Sequence, residues 1–312
     1  MIYYIMLFIT SFIWGSAFVA QRVGMDYIGP FTFSTMRYIV GMIVLIPVMA
    51  VSKLISVKNN SLDNKNNRLD IRQQCSERTN KHTVNQNTLI GGIVCGIVLF
   101  AAGSLQQCGI TYIEAGKSGF ITALYVVLVP VAGIFIGKKN GLAMWISVLL
   151  SFVGLVLLCF DGNSLRIGIG EILTFLCAVF YTIHILVIDQ YSAKSNPIEM
   201  SFVQFAVCAI LSAVVMLAAE EVSWETLYTA AFPIMYVGIF SSGVAYTFQI
   251  IAQGKTNPVA CSVILCLESV FSALTGWIVL NEKMSVKHIM GCIFMFVATI
   301  IAAYPKNEKN CN

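Results

Sequence analysis

Three ionisable side chains lie inside long apolar stretches of this sequence: Arg37, His184 and Glu268. A charge at the centre of a membrane-embedded helix costs roughly 2.5–3.5 kcal/mol on insertion scales, so such residues are functional candidates. Glu268 could bind a proton or a cationic ligand, since burial favours the neutral acid. Arg37 could bind an anionic ligand, and His184 could titrate near neutral pH. The alternative for each is a structural hydrogen bond between helices.

Aromatic and neutral polar side chains occur near the centres of the same stretches. A ring with a polar edge suits organic solutes, and hydroxyl or amide groups can bind a ligand without carrying a charge. Packing between helices is the alternative role, so a binding cavity is expected only where several of these side chains converge. With the ionisable residues, the candidates for substrate binding are Trp14, Arg37, Thr122, Tyr125, Tyr181, His184, Tyr246, Gln249, Ser262 and Glu268.

The sequence contains no known catalytic or metal-binding motif. It lacks the G-x-x-x-x-G-K-[ST] loop that cradles phosphates, the H-E-x-x-H metal pair and the G-x-S-x-G nucleophile elbow. Its ten cysteines include no C-x-x-C pair, and most of them lie in apolar runs as small hydrophobic residues. We therefore expect no cofactor, no bound metal and no enzymatic activity.

The composition indicates that helices in a lipid bilayer position these candidates. Hydrophobic residues make up 58% of the 312 residues and charged residues 11%, whereas soluble domains carry about 25% charged residues. A spanning helix needs ~20 apolar residues. The sequence therefore predicts an all-α membrane protein with ten transmembrane helices, at Ile2–Val19, Phe31–Val51, Thr88–Gln106, Ser118–Ile136, Leu142–Phe160, Gly168–Ile188, Phe202–Ala219, Ala230–Ile251, Pro258–Leu280 and Val286–Tyr304.

The long polar connection Ser52–Asn87 is predicted to be a flexible cytoplasmic loop, because it has too little apolar content to form a core. No aromatic residues are interleaved with its basic ones, so it indicates membrane orientation and no nucleic-acid partner. Thirteen of the 19 Lys and Arg residues fall on the side of the amino terminus and five on the other side. Both termini are therefore predicted to be cytoplasmic, in a multi-pass protein of the cell membrane.

Five spans precede Asp161 and five follow it, which predicts a duplication with the second copy inverted. We expect a first repeat over 1–160, a second over 161–305 and a short cytoplasmic tail over 306–312. Inverted repeats are the usual plan of secondary transporters, whose substrate site lies at mid-depth between the repeats. Two offsets align similar positions, Trp14 with Tyr181 and Arg37 with Gln204 at 167 residues, and Pro130 with Ser269 at about 139.

Three segments together resemble the EamA-type members of the drug/metabolite transporter superfamily. They are Ile13-Trp14-Gly15-Ser16-Ala17-Phe18, then Ala115–Phe120 with Leu124–Pro130, then Leu267–Phe271 followed by Gly276-Trp277 and Asn281-Glu282. Ser269 and Asn281 depart from the family pattern, which often has Pro and Gly there. The resemblance implies two EamA repeats and the movement of small metabolites without a nucleotide-driven motor.

These observations predict a secondary transporter, an exporter or exchanger of small organic metabolites such as amino acids, that works by alternating access. Its expected partners are a small-molecule substrate and the lipid bilayer, with a proton as candidate coupling ion, and its expected state is monomer or homodimer. The alternative is a non-transporting membrane protein, either a small-molecule sensor or an intramembrane enzyme. The missing catalytic set counts against the enzyme, and the missing soluble output domain counts against the sensor.

Overall fold

The computed structural model describes residues 1–66, 85–138, 140–159, 168–280 and 285–303, which are almost entirely helical and contain no strand. Two of the helices are broken, and their parts are labelled a and b. The long helices are α1 Ile2–Gly24, α2 Pro30–Asn66, α3 Gln86–Gly109, α4a Ala115–Thr122, α4b Tyr125–Phe135, α5 Leu142–Cys159, α6 Ile169–Ser192, α7 Pro197–Ala219, α8 Ala231–Gln253, α9a Pro258–Leu265, α9b Glu268–Leu280 and α10 Val286–Ala303. A short helix, Trp224–Thr229, lies between α7 and α8.

Within these described residues, nine helices are long and apolar enough to cross a membrane, counting each broken helix once. The shorter apolar helix α5 is the tenth. Large apolar side chains remain exposed along the outer faces of the helices, as lipid contact requires. The prediction of an all-α membrane protein is therefore confirmed.

Helix α2 extends past its apolar run, which ends near Ser52, and continues to Asn66. The prediction of a flexible loop over Ser52–Asn87 is therefore wrong for its first part. Residues 48–66 contain neither Gly nor Pro, so nothing in the backbone stops the helix where the apolar run ends. The part of the loop over 67–84 and the tail over 306–312 lie outside the described residues.

Helices α4 and α9 are broken at corresponding places. α4a ends at Thr122 and α4b begins at Tyr125, while α9a ends at Leu265 and α9b begins at Glu268. Both parts of the two helices correspond at an offset of 143 residues, measured from the starts of α4a and α9a and from Tyr125 to Glu268. The offset of about 139 expected for this region is therefore four residues too small. That offset is based on a few similar residues, whereas the positions of the two helix breaks align the helices directly.

The broken helices lie at the centre of the bundle. Helix α4 packs against α6 and α9, α9b packs against α1, and every residue of α9a is buried. Around them α2 packs against α7 and α8, α3 against α6 and α7, and α5 against α10. Ion pairs join α4 and the segment after it to α6, through Lys117 with Glu171 and Lys138 with Asp189. The breaks in α4 and α9 therefore face each other in the protein interior.

Helix α1 approaches α9b most closely at Gly15. A Cβ atom there would lie 2.5 Å from Cβ of Phe271 and 2.6 Å from the carbonyl oxygen of Glu268. Because overpacking typically costs 1–3 kcal/mol, we expect Gly15→Ala to lower the thermal unfolding temperature of the purified protein by several degrees. Gly116→Ala is the matched control, since a Cβ at Gly116 meets nothing within 4 Å. Equal unfolding temperatures for the two variants would contradict this account of the α1–α9 contact.

Candidate functional site

A small, partly open cavity lies where α1, α2, α3, α4, α6, α8 and α9 converge. It runs from the breaks of α4 and α9, at mid-depth in the bundle, towards the ends of α1 and α3 at Gln21 and Gln106. Seven of the ten side chains predicted from the sequence line it: Trp14, Arg37, Thr122, Tyr125, Tyr181, Tyr246 and Glu268. These seven are among the eleven residues that line the cavity, and their role in binding a substrate stays a prediction.

The two helix breaks place Tyr125 and Glu268 opposite each other. Each is the first residue of the second part of its helix, and both are buried. The Tyr125 hydroxyl donates a hydrogen bond of 2.9 Å to Oε1 of Glu268. The carboxyl group of Glu268 is thus held at the cavity wall by a neutral partner.

Arg37 supplies the positive charge of the cavity. Its guanidinium donates to Oε1 of Gln21 at 3.1 Å and to the hydroxyl of Tyr38 at 2.8 Å, and its Nε has no partner. Neither Arg37 nor Glu268 belongs to any ion pair among the described residues, although both are at least 97% buried. A buried charge without a counter-ion is costly, so Arg37 lacks a compensating negative charge and Glu268 a compensating positive charge or a proton.

Aromatic rings and amide groups form the rest of the wall. The hydroxyls of Tyr181 and Tyr246 lie 3.0 Å apart, and the ring of Trp14 is 4.8 Å from that of Tyr246. Gln106 accepts from Tyr181 at 3.4 Å and donates to Thr122 at 3.3 Å. The wall therefore offers flat apolar faces whose polar edges are already oriented by one another.

Three predicted residues lie outside this cavity. Nε2 of His184 is 3.2 Å from Oε1 of Gln204, and its ring meets that of Tyr246 edge-on from behind. Ser262 donates to the carbonyl of Val259 within its own helix. Gln249 is buried in α8 and does not reach the lining. These side chains face neighbouring helices, which a linear sequence does not show.

Four lining residues were not among the candidates: Phe18, Gln21, Gln106 and Ser241. A signal existed for the first two, because Trp14, Phe18 and Gln21 are spaced to share one face of a helix. Ser241 lies in the π-helical middle of α8, Val237–Tyr246, whose wider turns change which side chains face inward. No pattern in the sequence announces that irregularity.

Fold and cavity together define a multi-pass helical membrane protein with a charged, aromatic cavity at mid-depth between two broken helices. The chain belongs to the EamA-like transporter family, whose family model matches residues 1–160 and 168–304. The resemblance inferred from the sequence motifs is therefore confirmed, and family membership favours a transporter over a sensor or an enzyme.

Related proteins agree with this assignment. An uncharacterized transporter of Archaeoglobus fulgidus is 29% identical over 298 residues, which cover 95% of this chain and 84% of the relative. The uncharacterized transporter YoaV of Bacillus subtilis is 22% identical, with 91% of both chains covered. A protein of known crystal structure superposes with a TM-score of 0.71 at 16% identity, covering 95% of this chain and 96% of the other, which shows the fold.

Proposed function

We propose that the protein is a secondary transporter, an exporter or exchanger, that moves small organic metabolites such as amino acids across the cytoplasmic membrane by alternating access. One observation carries the choice of substrate. The cavity holds one cationic and one acidic side chain, Arg37 and Glu268, and neither has an ion-pair partner among the described residues. A free amino acid brings a carboxylate and an ammonium group, and can satisfy both.

Each group of such a substrate meets a suitable surface in the cavity. Arg37 can receive the carboxylate through its unpartnered Nε, while Gln21 and Tyr38 hold the rest of the guanidinium in place. Glu268 can receive the ammonium group, oriented by its bond from Tyr125. The rings of Trp14, Phe18 and Tyr246 line the space left for an apolar side chain.

Alternating access is supported by the correspondence of the two halves, 1–160 and 161–305. The breaks of α4 and α9 recur at one offset, and the packing is paired in the same way, with α4 against α6 and α9b against α1. In transporters built from inverted repeats, rocking of one repeat against the other opens a central site to each side in turn.

Solute flux in proteoliposomes tests the proposal directly. Vesicles containing purified protein and an unlabelled amino acid mixture should exchange it for labelled amino acids, and should exchange nucleosides, sugars and organic cations far more slowly. Protein-free vesicles and boiled protein give the background leak. Protein that moves no member of this panel would favour the non-transporting alternative. Fast movement of sugars alone would contradict the role given to the two charged side chains.

The orientation in the membrane gives a prediction that does not depend on the substrate. With both termini cytoplasmic, the extension of α2 past Ser52 faces the cytoplasm, where basic residues are favoured. A cysteine introduced as Ser61→Cys should resist a membrane-impermeant thiol reagent in intact cells and react once the cells are permeabilised. The wild-type chain, with its own ten cysteines, supplies the labelling background. Full reaction of this cysteine in intact cells would contradict the predicted orientation.

A further inference from the structure

Four buried polar side chains form a cluster behind the cavity, between α6, α7 and α8. We call His184, Gln204, Gln249 and Gln253 the inner cluster. His184 and Gln204 lie 3.2 Å apart between Nε2 and Oε1, and Nε2 of Gln253 donates to the carbonyl of Ile185 at 3.1 Å. Gln249 and Gln253 are one helical turn apart, so they share a face of α8.

Every member of the inner cluster keeps one buried polar atom without a hydrogen-bond partner among the described residues. These atoms are Nδ1 of His184, Nε2 of Gln204 and Oε1 of both Gln249 and Gln253. Buried polar groups in folded proteins are nearly always paired, because leaving one unpaired forfeits its hydration. These four atoms are therefore available to a polar partner.

The correspondence of the two halves relates the inner cluster to the cavity. Arg37 corresponds to Gln204 at the offset of 167, and Gln106 to Gln249 at the offset of 143. The members from the first half line the cavity, while those from the second half are packed away from it. Two other corresponding pairs differ from these, because both residues of each pair line the cavity. They are Trp14 with Tyr181 and Tyr125 with Glu268.

The two sets lie towards opposite membrane surfaces. Arg37 is two turns from the start of α2, whereas Gln204 is two turns from the start of α7, on the side of Met1 in a ten-span chain. The packing there is tight, since a Cβ at Gly96 of α3 would lie 2.6 Å from Cβ of Val207 and 2.9 Å from the carbonyl oxygen of Gln204. The side chains near Arg37 therefore line the cavity, whereas those of the inner cluster lie in packed protein outside it.

We infer that the inner cluster is a second solute site, closed in this structure, which lines the path when the Met1 side opens. This inference rests on the proposed function. The site would bind the carboxylate or carbonyl oxygen of a small solute through the neutral donor Nε2 of Gln204. Nε2 of His184 donates to Oε1 of Gln204, so Nδ1 of the neutral ring is an acceptor, and with Oε1 of Gln249 and Gln253 it would receive an ammonium group of the solute. Neutral donors bind an anionic group more weakly than a guanidinium does, so the solute is held less tightly on the Met1 side than beside Arg37.

Sided thiol labelling tests this inference. In oriented proteoliposomes, Gln204→Cys should react with a charged methanethiosulfonate reagent added on the Met1 side, at least about ten times faster than native Cys208. Cys208 is the internal control, since it lies one turn further along α7 with its thiol bonded to the carbonyl of Gly96 at 3.2 Å. Lys194→Cys, at an exposed side chain in the turn between α6 and α7 on the Met1 side, shows that the reagent is active. No reaction at Gln204→Cys, or reaction only from the other side, would overturn the inference.

A kinetic measurement guards against a cysteine variant that fails to fold. Gln204→Leu should raise the KM for solute presented on the Met1 side about fivefold and leave the KM on the opposite side within twofold. An equal change on both sides, or none, would overturn the inner site even in a protein that transports. If Gln204→Cys reacts in a protein that moves no solute, the proposed transport function is contradicted, but the opening of the Met1 side is still supported.

Discussion

Glu268→Gln should abolish transport driven by an imposed pH gradient and weaken solute binding, because the ammonium group loses its carboxylate, while folding stays largely intact. The amide oxygen of the variant can still accept the hydrogen bond that Tyr125 donates at 2.9 Å, but it can neither gain nor lose a proton. Labelled solute uptake into proteoliposomes, with and without a pH gradient, measures the effect. Uptake should follow the gradient in the wild type and be independent of it in the variant.

Glu171→Gln is the matched control, because this carboxylate lies near the start of α6 and pairs with Lys117 outside the cavity. We expect its uptake to follow the pH gradient as the wild type does. If uptake by Glu268→Gln still follows the gradient at the wild-type rate, Glu268 does not couple transport to protons. If the main result were instead a lower thermal stability, Glu268 would be a structural link between α4 and α9.

The physical basis for coupling is competition for one carboxylate. Glu268 is 3% exposed, and among the described residues its carboxyl group accepts a hydrogen bond from the neutral hydroxyl of Tyr125. Burial penalises an unpaired carboxylate, so the group is stabilised either by a proton or by a cationic ligand. A solute ammonium group that replaces the proton on Glu268 would couple solute binding to proton release. The solute flux and the proton flux would then be linked through this one carboxylate.

Much of the site could be predicted from the sequence because membrane burial leaves a one-dimensional signal. A charge such as Arg37 or Glu268 inside an apolar run stands out against its neighbours, and both line the cavity. His184 gave the same signal but faces Gln204, because the direction of a side chain around a helix depends on tertiary packing. The sequence therefore predicted how deep a side chain lies in the membrane better than it predicted which neighbouring helix that side chain faces.

The helix breaks show the opposite case. The break in α4 falls at Ala123 and Leu124, which are neither Gly nor Pro, while Pro130 lies inside the continuous helix α4b. Local propensity would have placed the irregularity at the proline. The break instead lies where α4 meets α9 at the centre of the bundle, a long-range contact that composition and periodicity do not encode.

Arg37→Gln should weaken the binding of the best-transported amino acid on the order of 100-fold. Removing one partner of a buried charge pair costs roughly 2–5 kcal/mol, and 1.4 kcal/mol corresponds to about tenfold in Kd. Equilibrium binding of labelled amino acid to purified protein measures the change. Arg22→Gln is the control, because Arg22 is exposed and paired with Asp26, and we expect its Kd to match the wild type.

Arg37→Lys separates charge from geometry at the same position. Lysine keeps the positive charge but cannot hold both Gln21 and Tyr38 in a planar fork while presenting a further donor to the cavity. We therefore expect a Kd between those of the wild type and Arg37→Gln. An unchanged Kd in both variants, with thermal stability lowered instead, would mean that Arg37 only joins α1 to α2. The solute carboxylate would then have to bind at another place in the cavity, and the unpartnered Nε1 of Trp14 is the donor there that could receive it.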